Sequence, residues 1–343
     1  MGELSYCANP NKDDFRAVMM SRKGLLPEAD FYFPIPYTEP AICTQQAVNR
    51  RLALGSSGLL DDIFELFRSE IASADPNYAT TIGLDSLTVD TFADAYYGLR
   101  DKTDPFEWAA ANLAEAKVNF SKRHTVPWRY AILITHEIIE SAVAYFNADD
   151  LRRFNQSFKS IFADDYATVP HLSIERLLAL HRSGHLQITA LGEDAVISNE
   201  GLARGAVVQI GDRHETFDTF INATGQKTLS ADDFPFPTLT EQGFVSEAKT
   251  VTAVGSQIRT GGIDVDGQCR PLIAGVQPLR RLYVPAVSYL LHKRPFIQGI
   301  TSAADLGRTV AASIVAEITR PQRSRRARTK APVVIDEAKS AAA

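Results

Sequence analysis

The sequence predicts an α/β protein, and three observations carry that prediction. An apolar run at 15–20, Phe15-Arg16-Ala17-Val18-Met19-Met20, is followed at once by the turn residues Ser21-Arg22-Lys23-Gly24, as a short buried strand would be. From about 41 to 183, apolar residues recur at helical spacing. Beyond 184 the text breaks into short apolar pieces separated by glycines, the spacing of a small β-meander, before one final helix.

Each element follows from local chemistry. After the first strand, Pro27, Pro34, Pro36 and Pro40 favour an irregular, extended passage. Helices are predicted at 44–54 and from 59 to 72, parted by the interhelical turn Gly55-Ser56-Ser57-Gly58, with Leu59, Ile63, Leu66, Phe67 and Ile71 facing a core. Alanines favour a helix at 106–120. Pro127 suits the first turn of a helix over 128–146. Helices at 149–162 and 173–182 complete the set, the latter with Ser173 as N-cap. Strands are expected at 186–191, 195–198, 206–210, 217–221, 250–254 and 281–284. The last helix spans 302–318, capped by Thr301 or Ser302 with Pro321 beyond its end. The basic, Ala-rich tail at 320–343 is expected to be disordered.

With 343 residues, 45% hydrophobic and 22% charged, the chain can bury a real core and has room for about two domains. Its net charge of −5 argues against a nucleic-acid partner. Cys7, Cys43 and Cys269 form neither a disulfide framework nor a Cys-x-x-Cys pair, which suits a reducing cytoplasm. No run of about 18 apolar residues spans a membrane, and Met1 to Tyr6 is neither a signal sequence nor a myristoylation site.

The chemistry-bearing text is mostly backbone. A predicted buried strand runs into Ala223-Thr224-Gly225, three small residues that permit close approach and, at Gly225, a positive φ. Gln298-Gly299-Ile300-Thr301 leads into the last helix, whose N-terminus offers unpaired N–H groups and partial positive charge.

Taken with Leu186-Gln187-Ile188, the meander, Gly262-Ile263-Asp264-Val265-Asp266, Arg270-Pro271, Leu282-Tyr283-Val284 and Leu306-Gly307-Arg308, these segments resemble flavoproteins that bind both FAD and NAD(P)H, especially the N-hydroxylating monooxygenase branch. The resemblance implies a partial two-dinucleotide-binding-domain (Rossmann-like) fold with a largely helical middle and a β-meander excursion. Residues 1–40 would be a remnant of the NAD(P)-binding domain, 41–183 a helical region continuing it, and 184–319 the meander and C-terminal part of the FAD domain. It places Thr224, Gly225, Gly299, Ile300, Thr301 and Arg308 near the flavin. Val18 to Pro27 resembles the second strand of the NAD(P)-binding half, whose tip selects the cofactor. Ser21, Arg22 and Lys23 there favour the 2′-phosphate of NADP, with no carboxylate before Glu28.

One departure is large. No Gly-x-Gly-x-x-Gly occurs anywhere, so a dinucleotide pyrophosphate lacks its usual turn. The expectation is therefore an incomplete FAD- and NADPH-linked oxidoreductase, completed by a second chain that supplies the missing FAD-binding half. The alternative is a non-catalytic subunit or inactive remnant that docks on a partner carrying those turns. Other constellations are weaker. His136 and Glu140 share a helix face without a third metal ligand. His171, His181 and His185 read as surface or boundary residues, and His292-Lys293-Arg294 reads as either a phosphate-facing trio or a solvated loop.

Overall fold

A computed structural model describes residues 15–252, 254–297 and 299–319. The tail from 320 and Gln298 lie outside the described residues. The fold is mixed α/β with small sheets.

β1 (Ala17–Ser21) is followed by an extended passage to α1 (Gln45–Leu52), capped by the Thr44 side chain. The Gly55 to Gly58 segment is the expected interhelical turn, leading to α2 (Leu59–Ala74), α3 (Pro76–Thr81) and α4 (Phe92–Tyr97). α5 (Pro105–Lys122) starts sharply because the Asp104 carboxylate accepts the Phe106 and Glu107 N–H groups while Pro105 takes the first position. Pro127 opens α6 (Pro127–Val143) as its position predicts. The predicted helix at 149–162 is longer and broken in type, with α7 (Ala148–Arg153), a π-turn at Phe154–Phe158 and α8 (Lys159–Tyr166). α9 (His171–Arg182) begins two residues before the expected Ser173, because Pro170 ends the preceding extended stretch and serves as N-cap. His171 is thus inside this helix.

These helices enclose an aromatic core in which Phe67, Phe92, Phe154, Phe158 and Phe162 are fully buried. Phe67 and Phe158 meet edge to face at 5.0 Å, Phe158 and Phe162 at 4.9 Å. Such pairs add about 0.5–1.5 kcal/mol each beyond simple area burial.

β2 (Leu186–Ala190) pairs in parallel with β1, Ala17 opposite Leu186 and Ser21 opposite Ala190. A second core lies over this pair, where Leu26, Phe106, Leu113, Ile174, Leu178 and Leu186 bring α5 and α9 together. The meander is β3 (Val196–Ser198), β4 (Ala206–Ile210) and β5 (Arg213–Phe217), antiparallel in that order. After α10 (Pro237–Glu241), β6 (Glu247–Val251) and β7 (Gln257–Ile263) form a bulged hairpin, and β8 (Leu272–Ile273) pairs with β9 (Gln277–Pro278). α11 (Ile300–Ile318) is the last helix among the described residues, with Leu306 buried in a third core beside Ile263, Leu290 and Ile297.

Three strand expectations need correction. The predicted strand at 217–221 ends at Phe217, and Phe220 and Ile221 lie exposed. Among the described residues no strand offers hydrogen-bond partners to 218–223, so an apolar run alone does not make a buried strand there. The segment 281–284 is likewise not a strand. Arg281 has a positive φ of 68° and the Val284 N–H reaches only the Cys269 carbonyl. The strand expected at 250–254 instead occupies Glu247–Val251.

A buried ionic network centres on Glu28. Glu28 pairs with Arg129 and lies 3.6 Å from Arg100, whose Nη1 meets Asp164 at 2.5 Å. Trp108 Nε1 donates to Glu28, and the Tyr96 hydroxyl donates to Asp164. Asp165 is buried with both carboxylate oxygens unpartnered, and burial holds its carboxyl well above the ordinary range.

Candidate functional site

The carboxyl end of β1 opens on a groove of about 660 Å³. Ser21 closes the turn that forms its rim, its hydroxyl accepting the Gly24 N–H at 3.0 Å. Gly24 has a φ of 69°, and a Cβ there would sit 2.9 Å from the Ala190 nitrogen. Only glycine lets the two segments of the chain approach this closely. The same turn projects Arg22 and Lys23 into the groove wall. Arg22 Nη1 is 3.4 Å from Glu193, and Lys23 Nζ is 2.9 Å from Asp101 and 4.6 Å from the Tyr97 ring centroid. Both ion pairs are solvent-exposed, worth about 0–1 kcal/mol each, so either cation can exchange its carboxylate for a phosphate at small cost. Phe106 of α5 and His181 of α9 also line the groove.

The predicted flavin contacts lie elsewhere. The Thr224 N–H and hydroxyl both donate to Asn222 Oδ1, at 3.1 and 2.7 Å, in an exposed loop where Gly225 takes a φ of 80°. Gly299 is the N-cap of α11, in place of the expected Thr301 or Ser302. No side chain caps that helix, and Ile300 is 92% exposed. Arg308, about two turns on, pairs with Asp305 on the helix surface. Thr224 and Gly225 line neither the groove nor the cleft described next.

That cleft, about 800 Å³, separates α6 from the C-terminal part, with Ser302 and Asp305 of α11 at its edge. Its Glu140 accepts the Phe296 N–H at 2.9 Å and faces Arg294 Nε at 3.7 Å. Burial raises the Glu140 carboxyl, while the Phe296 bond and Arg294 oppose that rise. His136 Nδ1 is 2.5 Å from the Leu133 carbonyl, and among the described residues no group of three or more His, Cys, Asp or Glu is placed to hold a metal ion. Of the basic trio, Lys293 and Arg294 line this cleft and all three are half-buried. His292 is held down to about 4 by burial, and Lys293 is lowered by burial and bonded to the Val265 carbonyl.

Sequence reasoning missed Arg100, which lines the groove while bonding the Leu26 carbonyl at 2.8 Å, and the Phe106–His181 pair. The aromatic-to-His pairing spans 75 residues, and nothing local announces it. Glu140 was visible only as half of a metal pair.

Residues 44–166 match the model of the YdhS-like middle domain, a stretch that runs from the cap of α1 to the end of α8. Over 306 residues the chain is 41% identical to the uncharacterized protein YdhS of Escherichia coli (strain K12), a match covering 89% of this chain and 54% of that protein. The chain therefore spans about half the length of the curated relative it matches. Among the described residues, no helix is long and apolar enough to cross a membrane.

Proposed function

We propose that this chain is the C-terminal portion of an FAD- and NADPH-linked, monooxygenase-like oxidoreductase of Rossmann-like architecture, whose glycine-rich turns come from a further segment or a second chain. One observation carries the reading. A parallel strand pair ends in Ser21-Arg22-Lys23-Gly24, and the two cations line a groove there. Open parallel sheets bind nucleotides outside the carboxyl ends of their strands, and basic residues at such a tip suit a ribose 2′-phosphate.

The two cofactors fit unequally. For NADP, Arg22 and Lys23 are exposed, weakly paired cations, and both would hold the 2′-phosphate. Bound there, the nicotinamide cofactor supplies a hydride; the residues of the groove bind and orient its adenosine end. For FAD the residues present fall short. Gly299, Ile300 and Thr301 offer an uncapped helix start and Thr224-Gly225 an exposed bend, but the sequence holds no Gly-x-Gly-x-x-Gly turn to cradle a pyrophosphate. No step through the flavin is derived from this chain alone.

The alternative, a non-catalytic subunit docking on a partner with those turns, is favoured by the strand-like 218–223 segment, apolar at Phe220 and Ile221 yet unpaired. Titration of the purified chain with 2′,5′-ADP and 5′-AMP tests the main reading. Clear preference for 2′,5′-ADP is expected. Equal binding of the two removes the 2′-phosphate contact of Arg22 and Lys23, and absent binding of both removes the nucleotide role of the groove and leaves the subunit reading.

A further inference from the structure

The groove's Phe106–His181 pair does not belong to the phosphate contact, and its geometry is specific. His181, on the last turn of α9, stacks on Phe106 with ring centroids 3.5 Å apart and planes 8° from parallel. Phe106 is buried at the capped start of α5, so its position is fixed. His181 Nδ1 lies 3.2 Å from the Leu186 carbonyl, which can only accept, so the imidazole donates there and its rotation is fixed as well. Phe106 covers one face of the ring, and His181 is exposed and lines the same groove as Arg22 and Lys23.

We infer that His181 is a stacking platform for the heteroaromatic base of a nucleotide whose phosphorylated ribose meets Arg22 and Lys23. The inference rests on the nucleotide reading of the same groove and adds a specificity-determining residue to it. A flat, pre-oriented ring needs no reorganisation to accept a base, and stacking is tolerant of base identity because every base has a π-face. The groove thus selects a base-bearing phosphorylated sugar over a bare one, with the phosphate contact supplying charge and the platform supplying shape.

Calorimetric titration of the full chain tests this, with 2′,5′-ADP and ribose 5-phosphate as probes against the wild type, His181→Ala and His181→Phe. The expected result is roughly tenfold weaker 2′,5′-ADP binding in His181→Ala, near-wild-type binding in His181→Phe, and ribose 5-phosphate binding unchanged in all three. His181 is exposed, so the alanine variant leaves the buried Phe106 contacts largely in place, and His181→Phe keeps them covered. If the alanine variant binds 2′,5′-ADP as the wild type does, the platform is wrong while the nucleotide groove stands. If it loses both probes equally, His181 acts on the sugar phosphate or on the groove's shape and the stacking role is overturned. A wild-type chain that binds no 2′,5′-ADP sinks the nucleotide reading itself, a distinct failure.

Discussion

Phe296 is the perturbation most sharply set by the structure. It belongs to the C-terminal part in sequence, yet it is 6% exposed and packs inside the helical core. Its ring centroid is 5.4 Å from Phe162, 5.9 Å from Tyr166, 6.0 Å from His136 and 6.2 Å from Phe154. Its own N–H is held by Glu140 from α6. Truncating a buried Phe costs about 3–5 kcal/mol, as lost transfer energy plus a residual cavity. Here the loss also removes a pin between two cores, so Phe296→Ala is expected to cost about 3 kcal/mol by urea denaturation and to speed amide exchange across 290–297. Glu140→Ala removes one acceptor from the same segment and is expected to cost about 1–3 kcal/mol, with the same exchange signature. The two losses should be less than additive, because both release one strap. A Phe296→Ala cost under about 1 kcal/mol, or exchange unchanged in 290–297, would refute the pinning argument.

Three further outcomes follow from the same structure. Asp165 keeps its proton in the native state at pH values where an unfolded aspartate has lost it. The native state therefore binds more protons there, and stability falls as pH rises from the ordinary value of 3.8 toward the raised native one; Asp165→Asn should flatten that slope and gain on the wild type at alkaline pH, as read by melting temperature against pH. Gly24→Ala forces a Cβ to within 2.9 Å of the Ala190 nitrogen at a φ of 69°, so a loss of about 1–3 kcal/mol in thermal unfolding is expected. Arg22→Ala should weaken NADPH binding much more than NADH binding in a fluorescence titration, since only the former carries the 2′-phosphate; equal losses would remove Arg22 from that role.

Helical spacing exposes the helical middle well, because Leu59, Ile63, Phe67 and Ile71 repeat on one face, alanines favour the helix at 106–120 and Pro127 marks a helix start. Strands were legible only where neighbours exist. The run Phe217 to Ile221 has the composition of a strand, but a strand is a property of a pair, and at 218–223 no partner is present among the described residues. The cationic tip Arg22-Lys23 is local and was readable. The groove's Phe106–His181 pair and the ionic network around Glu28 join residues from β1 onward to α4, α5, α6 and α8, and sequence spacing carries no trace of them. Chemistry built from distant charges must wait for the fold.

The most direct measurement is a crystal structure of the full chain with 2′,5′-ADP. The account predicts the 2′-phosphate between the Arg22 guanidinium and the Lys23 ammonium, with Glu193 and Asp101 displaced from them. A nucleotide bound in the α6 cleft or at the first turn of α11, with Arg22 still facing Glu193, would contradict it.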